Sequence, residues 1–153
     1  DCQNVVMSAK TKTLTSSQTI EVGDIFKIEA DEENGITPPL GRLTWYKHFV
    51  VMGKSDDGSL FGCVIFDSSI NREHVSPGYE EFFIPVPKGK YSFIDHDSYI
   101  ECLKLKPATV GKLRKGKAEG KLLPEDLAKA LELVKLSPRN GPMLLSMYNI
   151  VKL

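Results

Sequence analysis

Short apolar or alternating segments recur along the middle of the chain, and their spacing limits the possible folds more than any other feature. Most of them are followed directly by Gly, Pro or Asp, which is typical of β-strands separated by turns. The segments are residues 20–28, 49–52, 60–66, 82–86, 91–94 and 99–105. Five or six short strands within about 85 residues predict a small β-barrel or sandwich.

The turns between these segments predict two β-hairpins. Residues 49–52 and 60–66 flank Asp56-Asp57-Gly58-Ser59, where the glycine can take a positive φ. Residues 82–86 and 91–94 flank a second turn that contains Pro and Gly. A longer connection covers about residues 30–44, and loops of that length inside a compact domain are usually functional or disordered.

The C-terminal part of the chain changes from strand-like to helical patterning. Pro124 suits the first turn of a helix, and the two acidic residues that follow it favour a helix N-terminus. One apolar stripe then recurs at three- and four-residue spacing, in Leu127, Ala130, Leu131 and Val134. We expect a helix over residues 124–136, while residues 142–151 are compatible with either a last strand or a short helix.

Length and composition fit one domain with a tail. The chain has 153 residues, of which 41% are hydrophobic and 26% charged, so it can bury a core. Residues 1–19 are polar and rich in Ser and Thr, and we expect a loose N-terminal tail before a single domain at residues 20–153. The expected core includes Ile25, Val50, Val64, Ile65, Ile84, Phe93, Ile100 and Leu103.

Charge and cysteine content restrict the possible partners and location. Twenty Lys and Arg oppose twenty Asp and Glu, so any contact with a charged partner must come from local clusters. No apolar run approaches the ~18 residues that span a bilayer, so we expect no membrane span. The first twenty residues lack a signal-peptide core, and the three cysteines lack metal-ligand or disulfide spacing. We therefore expect a cytoplasmic protein.

Residues 104–121 form the strongest local excess of positive charge. Seven cations, among them Lys112, Arg114 and Lys115, are opposed there only by Glu119. Such a segment could contact a phosphate backbone, which requires cations but no sequence information. It could equally be a solvated basic loop before the helix.

Two further clusters lie where strands begin or end. Trp45, Tyr46, Lys47 and His48 follow the long loop and its Arg42, and could supply stacking surfaces, a cation and a proton shuttle. Ser68 and Ser69 follow a strand, and their hydroxyls could donate to a phosphoryl oxygen. The alternatives are that the aromatics cap the core, that His48 is a surface residue and that Asp67–Asn71 is an ordinary turn.

No cofactor or metal site is expected. Asp95, His96 and Asp97 are consecutive, so their side chains do not converge in an extended strand. The sequence lacks the common nucleotide-binding and hydrolase motifs. Cys63 and Cys102 lie in apolar runs, which favours buried, unreactive thiols.

Taken in order, several segments resemble those of one known family. They are Val22-Gly23-Asp24-Ile25-Phe26, Lys47-His48-Phe49-Val50-Val51, Phe66-Asp67-Ser68-Ser69, Asp97-Ser98-Tyr99-Ile100-Glu101-Cys102 and Gly120-Lys121-Leu122. Over about residues 20–137 the chain resembles the PemK/MazF-like toxins of bacterial toxin–antitoxin systems. The resemblance implies a mainly β (α+β) fold, a small SH3-like β-barrel with a C-terminal helix.

The same resemblance implies a function. Members of the family are mostly metal-independent endoribonucleases that cleave single-stranded RNA and are neutralised by a cognate antitoxin protein. A sister group with the same barrel acts on DNA gyrase instead, and an inactive relative is a third possibility. The resemblance also implies a homodimer, for which the apolar tail at residues 143–151 is a candidate interface.

The resemblance, joined to the residue chemistry, gives an expected site. Family nucleases generally have Arg-Pro where this chain has Lys47-His48. Without a metal, RNA cleavage uses the 2′-hydroxyl of the substrate as nucleophile, so the protein must move protons and stabilise the oxyanion. We expect His48 to act as acid or base, Lys47 and Arg42 as cations, and Ser68 or Ser69 as a donor.

Overall fold

The computed structural model describes residues 19–153, and its main element is a sheet of six antiparallel strands. The predicted tail lies almost wholly outside the described residues. The strands are β1 (Asp24–Ala30), β2 (Trp45–Lys54), β3 (Leu60–Asp67), β4 (Phe83–Val86), β5 (Ser98–Thr109) and β6 (Lys117–Lys121). The prediction of a mainly β fold is therefore confirmed.

The sheet has the strand order β4-β5-β3-β2-β1-β6 and curls into a half-barrel. Strands β1, β2 and β3 form a meander, and the predicted hairpin between β2 and β3 is present. The long β5 pairs with both β3 and β4. Strand β6 returns along the outside of β1, so β4 and β6 are the two edges of the described sheet.

The described residues also form three α-helices, of which the first lies between β5 and β6 and the other two follow β6. They are α1 (Val110–Lys115), α2 (Pro124–Leu136) and α3 (Pro142–Met147). Helix α2 has the predicted bounds, with Pro at its start and acidic residues in its first turn. Residues 142–151, which the sequence left open, begin as a short helix. None of the described helices is long and apolar enough to cross a membrane.

Alternating strand residues build one apolar cluster on each face of the sheet. Val50, Val64 and Ile100 pack with α2 and α3 on the first face. Phe49 and Ile65 pack with α1 on the second face. The predicted core residues are all buried, except that Phe93 is half-buried against the first cluster.

The prediction that Cys63 and Cys102 are buried is also confirmed. Burial in apolar surroundings raises the pKa of the Cys63 thiol, and it raises the pKa of Cys102 to about 12. Both thiols therefore stay protonated near neutral pH and are poor nucleophiles.

The second predicted hairpin is wrong. Residues 91–94 form a turn rather than a strand, and β4 pairs instead with β5, where Ile84 lies opposite Ile100. The reason is tertiary, since the Tyr91 hydroxyl donates to Asp126 Oδ2 at 2.6 Å and holds this segment against α2. The basic segment 104–121 is likewise not a loop, because it forms the end of β5, helix α1 and strand β6.

Candidate functional site

Neighbouring side chains of a strand point to opposite faces of the sheet, and this separates Lys47 from His48. Phe49 lies opposite Ile65 in the β2–β3 pair. Lys47 comes two residues before Phe49, and Asp67 comes two residues after Ile65. The two side chains therefore lie opposite each other, on the face of the second apolar cluster. His48 lies on the other face, against Phe66 and Phe93 of the first cluster.

Lys47 begins a row of four charged side chains across β2, β3 and β5. Lys47 Nζ lies 2.6 Å from Asp67 Oδ1. Asp67 and Glu101 lie on the same face of neighbouring strands, because Ile65, two residues before Asp67, is the β3 partner of Glu101. At the end of the row, Lys106 Nζ lies 3.9 Å from Glu101 Oε2. The exposed fractions of these side chains, in the order Lys47, Asp67, Lys106 and Glu101, are 11%, 23%, 16% and 15%.

Glu101 has a perturbed acidity because of its place in this row. Burial raises the pKa of its carboxyl above the usual range, and the charge and hydrogen bond of Asp67 raise it further. Lys106 and Lys47 act in the opposite direction but do not cancel the increase. Two carboxyl groups that share a site hold a proton more tightly than either does alone, which is a recurring arrangement in acid–base catalysis.

The row lies in the wall of a cleft of about 430 Å³. Trp45 stands at one side of it, with Lys47 Nζ 4.0 Å from the centre of the indole ring. Further polar side chains come from the segment after β3, from β5 and from the α2–α3 connection. They are Ser68, Ser69, Asn71, His74, Lys104 and Arg139. The cleft thus combines an aromatic surface, a carboxyl pair and several cations.

The structure brings together four residues of the site predicted from sequence: Trp45, Lys47, Ser68 and Ser69. The remaining predicted residues lie elsewhere. The Tyr46 ring lies 5.4 Å from Lys27 Nζ, and Arg42 lines a separate depression beside Asp31. Lys112 Nζ lies 3.3 Å from that same Asp31. Arg114 and Lys115 belong to α1, which contributes no side chain to the described wall of the cleft.

His48 occupies a half-buried position outside the cleft. Its ring stacks on Phe93 at 4.0 Å between centroids, and its Nε2 lies 3.6 Å from Glu119 Oε2 on β6. Among the described residues this nitrogen has no hydrogen-bond partner. Burial lowers the pKa of His48, although the Glu119 carboxylate opposes that effect. Its surroundings favour a neutral imidazole that packs against the aromatic rings.

Sequence reasoning missed Glu101 and Lys106 as site residues. They are five residues apart, so regular alternation would place them on opposite faces of β5. An irregularity in the β3–β5 pairing reverses this, because Ile65 faces Glu101 whereas Cys63 faces Lys106. A bulge of this kind re-aims side chains and leaves little signal in a single sequence. The one available signal was Glu101 itself, the acidic residue of a strand whose other charged residues are lysines.

Comparison with known proteins adds no family to this description. A scan against models of protein families finds no match to the chain, and no curated protein is significantly similar to it. The class that the structure itself defines is a mainly β protein with a half-barrel sheet and a charged, aromatic-rimmed cleft.

Proposed function

We propose that this protein is a metal-independent endoribonuclease that cleaves single-stranded RNA in the cleft beside Trp45 and Lys47. The observation that carries the proposal is the pair of carboxyl groups of Asp67 and Glu101 on one face of the sheet, held between Lys47 and Lys106. A carboxyl group with a raised pKa is suited to proton transfer near neutral pH. Cations on both sides can stabilise the negative charge that develops on phosphate oxygens.

Each part of the cleft has a task in this reaction. Glu101, in its ionised form, takes the proton of the 2′-hydroxyl, whose oxygen then attacks the adjacent phosphorus. Lys47 and Lys106 stabilise the non-bridging oxygens, with Ser68 and Ser69 as additional donors. The exposed face of Trp45 offers a stacking surface for a base, as single-strand-binding proteins commonly do. Asp67 positions Lys47 and raises the pKa of Glu101.

The fold supports placing this activity in the PemK/MazF-like class. A curled antiparallel sheet followed by a helix at Pro124–Leu136 is compatible with the SH3-like barrel of those toxins. Glu101 lies in Asp97-Ser98-Tyr99-Ile100-Glu101-Cys102, the most specific segment of the resemblance. A cognate antitoxin protein and a homodimeric state belong to the same proposal.

The test is cleavage of a long single-stranded RNA by the purified protein in the presence of EDTA. We expect products with 2′,3′-cyclic phosphate and 5′-hydroxyl ends. Glu101→Gln should lower the rate by about 10²–10⁴-fold, the usual contribution of a general acid or base. Glu132→Gln is the matched control, because Glu132 is exposed on α2, where it pairs with Lys129. An intact RNA in the wild-type reaction would contradict the proposal.

A second candidate function, action on a protein such as DNA gyrase, rests on a different observation. The α2–α3 region exposes a group of apolar side chains, with 64% of Leu136, 76% of Met143 and 44% of Met147 accessible. Exposed apolar groups of this kind mark protein contacts. A supercoiling assay with purified gyrase, run beside the RNA assay, distinguishes the two functions.

The same apolar surface is the proposed dimer interface. Only part of the C-terminal segment is free for this role, since Leu145 and Tyr148 are buried within the chain. Light scattering at micromolar concentration should therefore give a mass near twice the 17.0 kDa of one chain. A single species at the mass of one chain would contradict the dimer.

A further inference from the structure

The proposed reaction, on which this inference rests, requires two proton-transfer groups on opposite sides of one phosphorus atom. The 2′-oxygen attacks opposite the departing 5′-oxygen, so the base and the acid cannot be adjacent. Glu101 and Asp67 lie on the same face of the neighbouring strands β5 and β3, and Asp67 is held by Lys47 at 2.6 Å. Both carboxyl groups therefore stand on the same side of any bound phosphate, and the acid must come from another part of the cleft.

His74 lines the same cleft from a different element. It lies in the segment that leaves β3, whereas Glu101 lies on β5. This segment is folded around Asn71, whose carbonyl oxygen accepts from the His74 and Val75 amides at 3.0 Å. The Asn71 side chain accepts from the Glu73 amide at 3.1 Å. These hydrogen bonds hold the backbone of the turn, and so position His74 at the cleft.

The other cationic side chains of the cleft are poorly suited to give up a proton. Lysine and arginine side chains ordinarily keep their protons near neutral pH, and a guanidinium does not act as an acid in proteins. Arg139 is also engaged with the Tyr79 ring, at 5.3 Å from its centre, and its carbonyl oxygen accepts from Lys104 Nζ at 3.3 Å. Histidine is the side chain that ordinarily exchanges protons in this pH range.

We infer that His74 is the general acid that protonates the 5′-oxygen as it leaves. In this step the bond between phosphorus and the 2′-oxygen forms while the bond to the 5′-oxygen breaks. The 2′-hydroxyl proton passes to Glu101, and the imidazolium of His74 gives its proton to the departing oxygen. The products are a 2′,3′-cyclic phosphate and a 5′-hydroxyl, with no oxidant, reductant or metal consumed.

A substrate with a sulfur leaving group tests this assignment directly. A short RNA is prepared twice, once with the normal 5′-oxygen and once with a 5′-bridging sulfur at one position. A thiolate leaves without prior protonation, because thiols are far more acidic than alcohols. We expect His74→Ala to slow cleavage of the oxygen substrate by about 10²–10⁴-fold but to cleave the sulfur substrate at nearly the wild-type rate.

Two control variants separate the possible outcomes. Glu101→Gln should stay slow on both substrates, because the 2′-hydroxyl still needs a base. His96→Ala should match the wild type on both, since His96 is an exposed histidine paired with Asp95 outside the described wall of the cleft. The assignment would be overturned if His74→Ala cleaved both substrates equally slowly, or if it cleaved both at the wild-type rate. A wild-type protein that cleaves neither RNA would instead overturn the proposed endoribonuclease function itself.

Discussion

Asp67 is the residue that links the cation and the acid–base group of the cleft. It accepts from Lys47 Nζ at 2.6 Å and, through its charge and hydrogen bond, raises the pKa of Glu101. Asp67→Asn keeps the shape of the side chain but removes its charge, so it should lower the pKa of Glu101. If Glu101 is the base, the acidic limb of the pH–rate profile should then move to lower pH.

The measurement is kcat/KM for RNA cleavage across the pH range, for the wild type and Asp67→Asn. The substitution also releases Lys47, so the maximum rate should fall in addition to the shift. A lower rate with an unmoved acidic limb would mean that Asp67 only holds Lys47 in place. Asp57→Asn is the control, because Asp57 is an exposed carboxylate in the β2–β3 turn whose partners are Ser55 and Ser59.

At this scale the sequence could predict part of the site. Trp45, Lys47, Ser68 and Ser69 meet in one cleft because strand ends that are adjacent in a sheet bring their polar residues together. Lys47 and His48 could not both face the cleft, because consecutive residues of a strand alternate. The positions of Glu101 and Lys106 in the cleft depend on an irregular strand pairing, and the position of His74 depends on the path of a loop. Neither the pairing nor the path is determined by the local sequence pattern.

At the scale of elements, the C-terminal segment is fixed to the sheet through two glycines. A Cβ built on Gly62 of β3 would stand 2.5 Å from the Tyr148 ring, and one on Gly53 of β2 would stand 2.3 Å from the Tyr148 carbonyl oxygen. Tyr148 is only 2% exposed, so the ring cannot move away without opening the core. Gly62→Ala should therefore destabilise the protein by about 1–3 kcal/mol, as overpacking of a core usually does.

The measurement is urea unfolding of Gly62→Ala, with an unchanged slope and a lower midpoint. Gly111→Ala is the control, because a Cβ at that position of α1 meets no atom within 4 Å. Alanine is the better helix former there, so this variant should be more stable by about 0.5–1 kcal/mol. Equal midpoints for Gly62→Ala and the wild type would show that Tyr148 is not tightly packed on the sheet.

The elements also show where sequence patterns suffice and where they do not. Helix α2 could be predicted with its bounds, because Pro124, the acidic first turn and Ser137-Pro138 are all local signals. The segment at residues 91–94 has the composition of a strand, but its Tyr91 hydroxyl donates to Asp126 of α2 and accepts from the Leu123 amide just before that helix. Such a contact between residues distant in sequence overrides a short local preference.

At the scale of the whole molecule, a chain with zero formal net charge contains two half-buried groups, His48 and Glu101, whose effects on stability depend on pH in opposite directions. Burial lowers the pKa of His48 from 6.5, so the unfolded chain binds more protons, and stability is lost as pH falls below 6.5. Burial raises the pKa of Glu101 from 4.5, so the folded chain binds more protons, and stability is lost as pH rises above 4.5. The two groups lie on opposite faces of the sheet, so their contributions should add.

Replacing one titrating group at a time should therefore change the free energy of unfolding in different pH ranges. His48→Gln keeps a neutral polar group beside Glu119 and Lys27, the charged side chains that act on this position, and should reduce the loss of stability below pH 6.5. Glu101→Gln should reduce the loss above pH 4.5, and so be at least as stable as the wild type near neutral pH. Urea unfolding of both variants at several pH values between about 5 and 8 measures this. Parallel curves for His48→Gln and the wild type would mean that the pKa of His48 does not change on folding. A wild type that loses stability relative to His48→Gln as pH rises would mean that the imidazole is held protonated by Glu119.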